Sequence, residues 1–454
     1  MVRTSGATLT ARVSELRNLP KVDTLLKAEE LQQFPHAVRV AAARSAVDQM
    51  RAAISSGCDP SSFNFVAAAV EEAEALSDYS LRPVINLSGV ILHTGLGRAR
   101  LAPTVVERVR LVAGSHSSLE LDLDSGTRGD RQDHVRSMLT DLTGAEDALV
   151  VNNAAAGVVL TLSALAKGRE VILSRGQMVE IGGSFRLPEI VKESGCKLVE
   201  VGCTNKTRLS DYAEAITEET AVILRCHPSN YKIIGFTSEP SLSELADLAR
   251  QKGIACIDDI GSGCLVDTTR FGLPKEPAIQ ESIKAGAHIT ICSGDKMLGG
   301  PQSGLILGTA QFINTIKQHP LARAFRIDKL SLAALQATLQ LYREGREQDI
   351  PTLKYLARTV DEVKKNATKL AKAYSGSSKV VACKSEVGGG SAPTVGLDSF
   401  AAVLQTDHPD KLCQTLRQSN PSILARVQDN AVWLDPRTAE DDEIASVAKV
   451  LRGL

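Results

Sequence analysis

The sequence predicts an α/β protein whose large domain is built on a mostly parallel sheet, preceded by a helical domain and followed by a small α+β domain. Three observations predict this. Between residues 93 and 330, short β-branched runs alternate with amphipathic stretches, as expected of strands buried on both faces and separated by helices. Residues 1–75 lack such runs and are rich in helix formers. Beyond residue 350, short strands and helices mix without a repeat. The 454 residues are too many for one simple core.

In the N-terminal domain, 1–75, the stretch from Leu19 to Leu26 reads as a turn entering a helix, because Pro20 and Asp23 favour helix starts. Helices are expected within Ala37–Arg44 and Phe63–Ala75, and a linker over 76–92. Strands are expected at 148–151, 170–173, 197–201, 221–224, 255–258 and 288–291, with a helix over 241–253. Residues 331–350 read as a helical linker interrupted near Pro351. The C-terminal domain, 351–454, includes the strand Ala431–Leu434, which carries Trp433.

A formal net charge of -1 supplies no global field for nucleic acid, and DNA is not an expected partner. The nine cysteines are scattered and several, such as Cys226, Cys256 and Cys292, lie in apolar runs. No Cys-x-x-Cys pair or zinc-spaced histidine cluster occurs, so buried reduced thiols, a cytoplasmic location and no metal are expected. No stretch is long and apolar enough for a membrane span.

The strand ends carry a possible chemistry. Lys296, in the segment Ser293 to Gly300, follows a strand at the carboxyl edge where ligands of α/β sheets collect. Asp258 and Asp259 end another apolar strand upstream. Asn152 to Gly157 follow a third, and small residues opening a helix expose N–H groups to an anion. Pyridoxal phosphate (PLP) requires a lysine for its aldehyde, an acid for its pyridine nitrogen and donors for its phosphate. Lys296 suits the first need. Asp259 is preferred over Asp258 for the second, since strand side chains alternate and Asp259 opens the turn. Ser293, Asn153, Ala154 and Ala155 suit the third, and Gly299, Gly300 and Gly304 would let the backbone approach the cofactor. Each signal alone is weak; a lysine in a glycine-rich turn is commonly a surface residue, and an aspartate at a strand end commonly a cap. The residue against the ring stays open, with Glu180 and Gly182 in the candidate region.

Longer collinear stretches carry a resemblance. They include Leu19 to Leu26, Ile85 to Arg98, Leu119 to Gly129, Val179 to Arg186, Ser229 to Thr237, Asp259 to Gly263, the Lys296 segment and Gly388 to Pro393. Over nearly its whole length the chain resembles the bacterial L-seryl-tRNA(Sec) selenium transferases, or selenocysteine synthases, which have the type I fold of PLP-dependent transferases. The resemblance implies conversion of seryl-tRNA(Sec) to selenocysteinyl-tRNA(Sec) through a PLP-bound dehydroalanyl intermediate, with selenophosphate as donor. It implies that Lys296 binds the cofactor and moves protons, with Asp295 as its neighbouring acid, and that Arg98, Arg323 and Arg326 hold the donor anion. Arg323 and Arg326, three apart, would share a helix face. It also implies a dimer-based homo-oligomer, a decamer in this family, and an N-terminal domain that grips tRNA. Residues 1–75 carry eight basic and nine acidic side chains, so charge does not announce that role. The competing reading is a PLP lyase of the same fold acting on a small amino acid or amino-sugar acid.

Overall fold

A computed structural model of the chain describes residues 16, 19–56, 63–181 and 185–454. It forms two compact units, Met1–Pro83 and Val84–Leu454. In the first, helices span Val22–Leu25, His36–Ser55 and Phe65–Ser77; the expected Ala37–Arg44 falls inside the second, and the expected Phe63–Ala75 overlaps the third but begins two residues before it. Asn64 starts the last of these by accepting a hydrogen bond from Ala67 N at 3.0 Å. Ala42 and Ala46, with Ala69 and Ala73, are fully buried around Leu31. The four-residue spacing puts each alanine pair on one helix face, and their small side chains let the helices approach closely.

The second unit is organised by a seven-stranded sheet. Its order is Asp147–Val151, Gly304–Gly308, Ile289–Ser293, Ala255–Gly261, Thr220–Cys226, Glu170–Ser174 and Lys197–Val201. Gly304–Gly308 runs antiparallel to both neighbours, and the other pairings are parallel. The six expected strands are all present. The seventh went unread because its three apolar residues lie between glycines. Gly304 is needed there for packing: a side chain on it would collide with the backbone of Asn153. Gly299, at φ +72°, likewise lies against Ile350, and Gly300 against the Gly294 carbonyl. Packing around the Lys296 turn thus requires glycine at each of these positions.

Two boundaries differ from expectation. Residues 84–92 are not a linker. Val84–Asn86 pairs in parallel with Ser422–Leu424, and Val90–Leu92 joins the edge of a five-stranded sheet. Both segments are rich in β-branched residues and find partners far along the chain; Val90–Leu92 pairs with Ser378–Gly388, which in turn pairs with Ser391–Leu404, and that strand with Ala431–Leu434. Residues 331–350 are largely helical as expected but are packed into a core rather than serving as a linker. The helix Lys329–Arg343 buries Leu332, Leu335 and Leu339 in the core beneath the large sheet, and Pro351 opens the next helix, Pro351–Ala357, at its first turn. Around the second sheet, Leu370, Leu404, Leu416, Leu434 and Leu451 form a separate core. Because the main strands are parallel, their ends at Val151, Cys226, Gly261 and Ser293 share one edge.

Candidate active site

Lys296 stands at that edge in a turn fixed by its backbone. Gly294 N donates to Ser303 O, Gly300 N to Gly294 O and Met297 N to Ser262 O, each at 2.9 Å. The lysine is 7% exposed. Burial lowers its pKa; the Asp259 charge opposes this, and Arg98 adds to it. Asp259 is 9% exposed, and burial pushes its carboxyl up to about 6 despite the lysine. For both groups desolvation outweighs their mutual attraction, so each leans toward its neutral form.

Strand alternation separates the two aspartates. Asp258 pairs with Arg225 at 2.8 Å and accepts from Ser282 Oγ at 2.6 Å. Asp259 lies on the lysine's side, with Cys226 Sγ 4.0 Å from Oδ2. Asp295, beside Lys296 in sequence, pairs with Arg98 at 2.7 Å. Arg98 occupies the left-handed region at φ +62° after Gly97 at φ +84°, and Ala99 N donates to Asp295 O at 3.2 Å. This strained corner is thus tied to Asp295 through both side chain and backbone. Arg98 Nε is buried without a hydrogen-bond partner, a donor left over for an anion.

Asn153 caps the helix Ala154–Ala166, accepting from Ala156 N at 2.8 Å. That leaves Ala154 N and Ala155 N as first-turn donors without intrahelical acceptors. Ser293 ends its strand at 8% exposure. Ser262 Oγ is fully buried without a partner, three residues after Asp259, the strand position that faces the lysine. A nucleophilic amine, a buried carboxyl opposite it and an uncommitted set of N–H and hydroxyl donors fit PLP.

The arginine expectation needs correction. The helix Leu321–Ala324 ends before Arg326, and Phe325 leaves helical geometry, so Arg323 and Arg326 do not share a helix face. Arg326 instead bridges Val151 through its backbone, while its guanidinium pairs with Glu120 at 3.1 Å. Arg323 is exposed at the helix end. Among the described residues of one chain the three arginines share no partner. Glu120 also accepts from Arg131 at 2.6 Å and Arg128 at 3.1 Å. Arg131 is 8% exposed, so Glu120→Ala should leave a buried guanidinium uncompensated and cost about 3 kcal/mol in chemical denaturation. Arg128→Ala, at an exposed position, should cost under about 1 kcal/mol. Equal losses would show that Arg131 does not depend on Glu120.

Sequence reasoning missed Arg225, Cys226, His227 and Ser229. All follow from the rule applied to the other strands, since Thr220–Cys226 ends directly beside Asp259. Of the ring-facing candidates, Glu180 is exposed and pairs with Arg186 at 2.6 Å, while Gly182 lies outside the described residues.

Residues 84–440 match the model of the L-seryl-tRNA selenium transferases. The chain belongs to that family. Residues 16–51 match a second model, the selenocysteine synthase N-terminal region. The chain is 47% identical over 451 residues to the L-seryl-tRNA(Sec) selenium transferase of Carboxydothermus hydrogenoformans, covering 96% of this chain and 97% of that one. It is 44% identical over 454 residues to that of Hyphomonas neptunium, covering 96% and 98%. Among solved structures, a D-glucosaminate-6-phosphate ammonia-lyase aligns with TM-score 0.58 at 22% identity over 84% of this chain and 96% of that one, which shows a common fold. The selenium transferase chain thus has the type I fold of PLP-dependent transferases. Among the described residues no helix is long and apolar enough to cross a membrane, and no cluster of metal-ligating side chains occurs.

Proposed function

We propose that this chain converts L-seryl-tRNA(Sec) to L-selenocysteinyl-tRNA(Sec) with PLP as cofactor and selenophosphate as selenium donor. The observation that carries this is the buried Lys296, between Asp259 and the Arg98–Asp295 pair, in a chain related to named selenium transferases over nearly its full length. PLP, when bound, supplies an aldehyde for the seryl amine and an electron-withdrawing ring. Lys296 holds the cofactor and, with its amine held toward neutrality, takes the proton from the seryl α-carbon. Asp259 would hold the ring nitrogen in its protonated form, and Ser293, Ser262, Asn153 and the N–H groups of Ala154 and Ala155 would hold the phosphate. Asp295 orients Arg98, whose remaining donors receive the anionic donor; Arg323 and Arg326 complete its binding when chains assemble.

The proposal includes a homo-oligomer built from dimers, as large as a decamer, in the cytoplasm. Exposed apolar side chains on the second unit support assembly: Leu123 is 75%, Ile234 84% and Phe236 88% exposed. The helical first unit would grip the tRNA by shape and backbone rather than by net charge. Purified holoenzyme should bind seryl-tRNA(Sec) in preference to seryl-tRNA(Ser) and, given selenophosphate, load selenium onto the RNA. Equal binding of the two RNAs, with no selenium loaded, refutes the proposal.

A further inference from the structure

We propose that the cavity beside the end of the Thr220–Cys226 strand binds the 3′-terminal nucleoside of the aminoacylated tRNA; this rests on the seryl-tRNA reading above. The cavity holds about 430 Å³ and is walled in part by His227, Pro228 and Tyr231, a size typical of small-molecule sites. Ser229, between those residues, is 2% exposed and belongs to the lysine's surroundings. A methyl group added to Gly261 would lie 3.8 Å from Lys296 Nζ and 3.9 Å from Ser229 Cβ. One residue therefore separates the cavity wall from the reacting amine. A seryl group at Lys296 is esterified to a ribose, so its nucleoside must occupy space adjoining the lysine.

The lining suits a nucleotide. Tyr231 is half-buried, and its hydroxyl donates to the Gly176 carbonyl, which holds the ring in place as a stacking surface. Lys206 and Lys232 have no carboxylate partner among the described residues and supply positive charge for the 5′-phosphate. Glu239, touched by Gln177 at 3.4 Å, offers an acceptor for a ribose hydroxyl or a base amino group. Unpaired RNA ends are read in this way, by an aromatic platform, edge hydrogen bonds and cations. A small anion alone would need the lysines but neither the tyrosine wall nor this volume.

The test compares two RNAs on the full-length holoenzyme: intact tRNA(Sec) and the same RNA lacking its terminal nucleoside. The wild type is expected to prefer the intact RNA by about tenfold, as for one stacked base. Tyr231→Leu should remove that preference by weakening the intact RNA alone. Lys232→Ala, at an exposed position that folding does not depend on, should reduce it in the same sense. Equal binding of both RNAs by the wild type, or equal weakening of both by Tyr231→Leu, overturns the assignment. So does loss of the preference with inorganic phosphate but not with adenosine, which would make the cavity an anion site. Binding of neither RNA by the wild type would instead remove the seryl-tRNA reading itself.

Discussion

Lys296→Ala is expected to abolish covalent capture of PLP and to lower selenium transfer by on the order of 10³-fold or more. The reason lies in the amine's surroundings. Three backbone hydrogen bonds fix its turn, and burial lowers its pKa, so the free-base form that attacks an aldehyde is more populated than on a surface lysine. Lys296→Arg would keep a cation near Asp259 but supply no nucleophile, and should be equally inactive. The wild-type holoenzyme should absorb in the visible, and borohydride reduction should fix the cofactor to the one peptide carrying Lys296. A reduced adduct on another peptide, or one that survives in Lys296→Ala, would show that the wrong lysine has been chosen. Circular dichroism of the variant should match the wild type, since the turn is held by main-chain bonds that alanine retains.

Much of this site was legible because parallel sheets announce themselves locally. Continuous runs such as Ala221–Leu224 and Val171–Leu173 are buried on both faces, so each reads as a strand without knowledge of its neighbours. Once the strands are placed, their ends point to Lys296, Asp259 and Asn153; alternation says that only one of the two aspartates faces the site, and the turn position favours Asp259. What could not be read depends on long-range pairing. Val84–Asn86 and Val90–Leu92 become strands only because partners more than 290 residues away, at Ser422–Leu424 and Ser378–Gly388, accept them. The helix around Arg323 stops after Ala324 because the following segment is drawn into pairing with Val151 and Asn152. No local signal in Leu321–Arg326 reports that.

Asp259→Asn should change both stability and catalysis, in ways that separate burial from chemistry. In the cofactor-free protein the carboxyl has an apparent pKa of about 6, raised first by burial and then by Asp258, against the pull of Lys296 and the Gly261 N–H. Its ordinary value is 3.8. The folded state therefore holds this proton more tightly than the unfolded chain does. The stabilisation is complete below about pH 4 and is lost as pH rises through about 6. At about 1.4 kcal/mol per tenfold change in proton affinity, it is worth roughly 3 kcal/mol. Asp259→Asn cannot titrate, so its stability should fall less steeply between pH 4 and 7 than that of the wild type. The neighbours Cys226 and His227 also shift, the thiol upward and the imidazole downward, both through burial. Both chains retain these groups, so the difference between the two pH curves isolates Asp259. Identical curves would mean that the carboxyl is not buried as described. With PLP bound the preference should reverse, because a protonated ring nitrogen stabilises the carboxylate that burial penalises. The asparagine variant should then bind tRNA as the wild type does, absorb at a shifted wavelength and turn over on the order of 10²–10⁴-fold more slowly. A variant with unchanged spectrum and rate would place the ring's acid partner elsewhere. Asp258→Asn provides the contrast: it breaks the pair with Arg225 and the bond from Ser282, and should lower stability at every pH while leaving the cofactor spectrum alone.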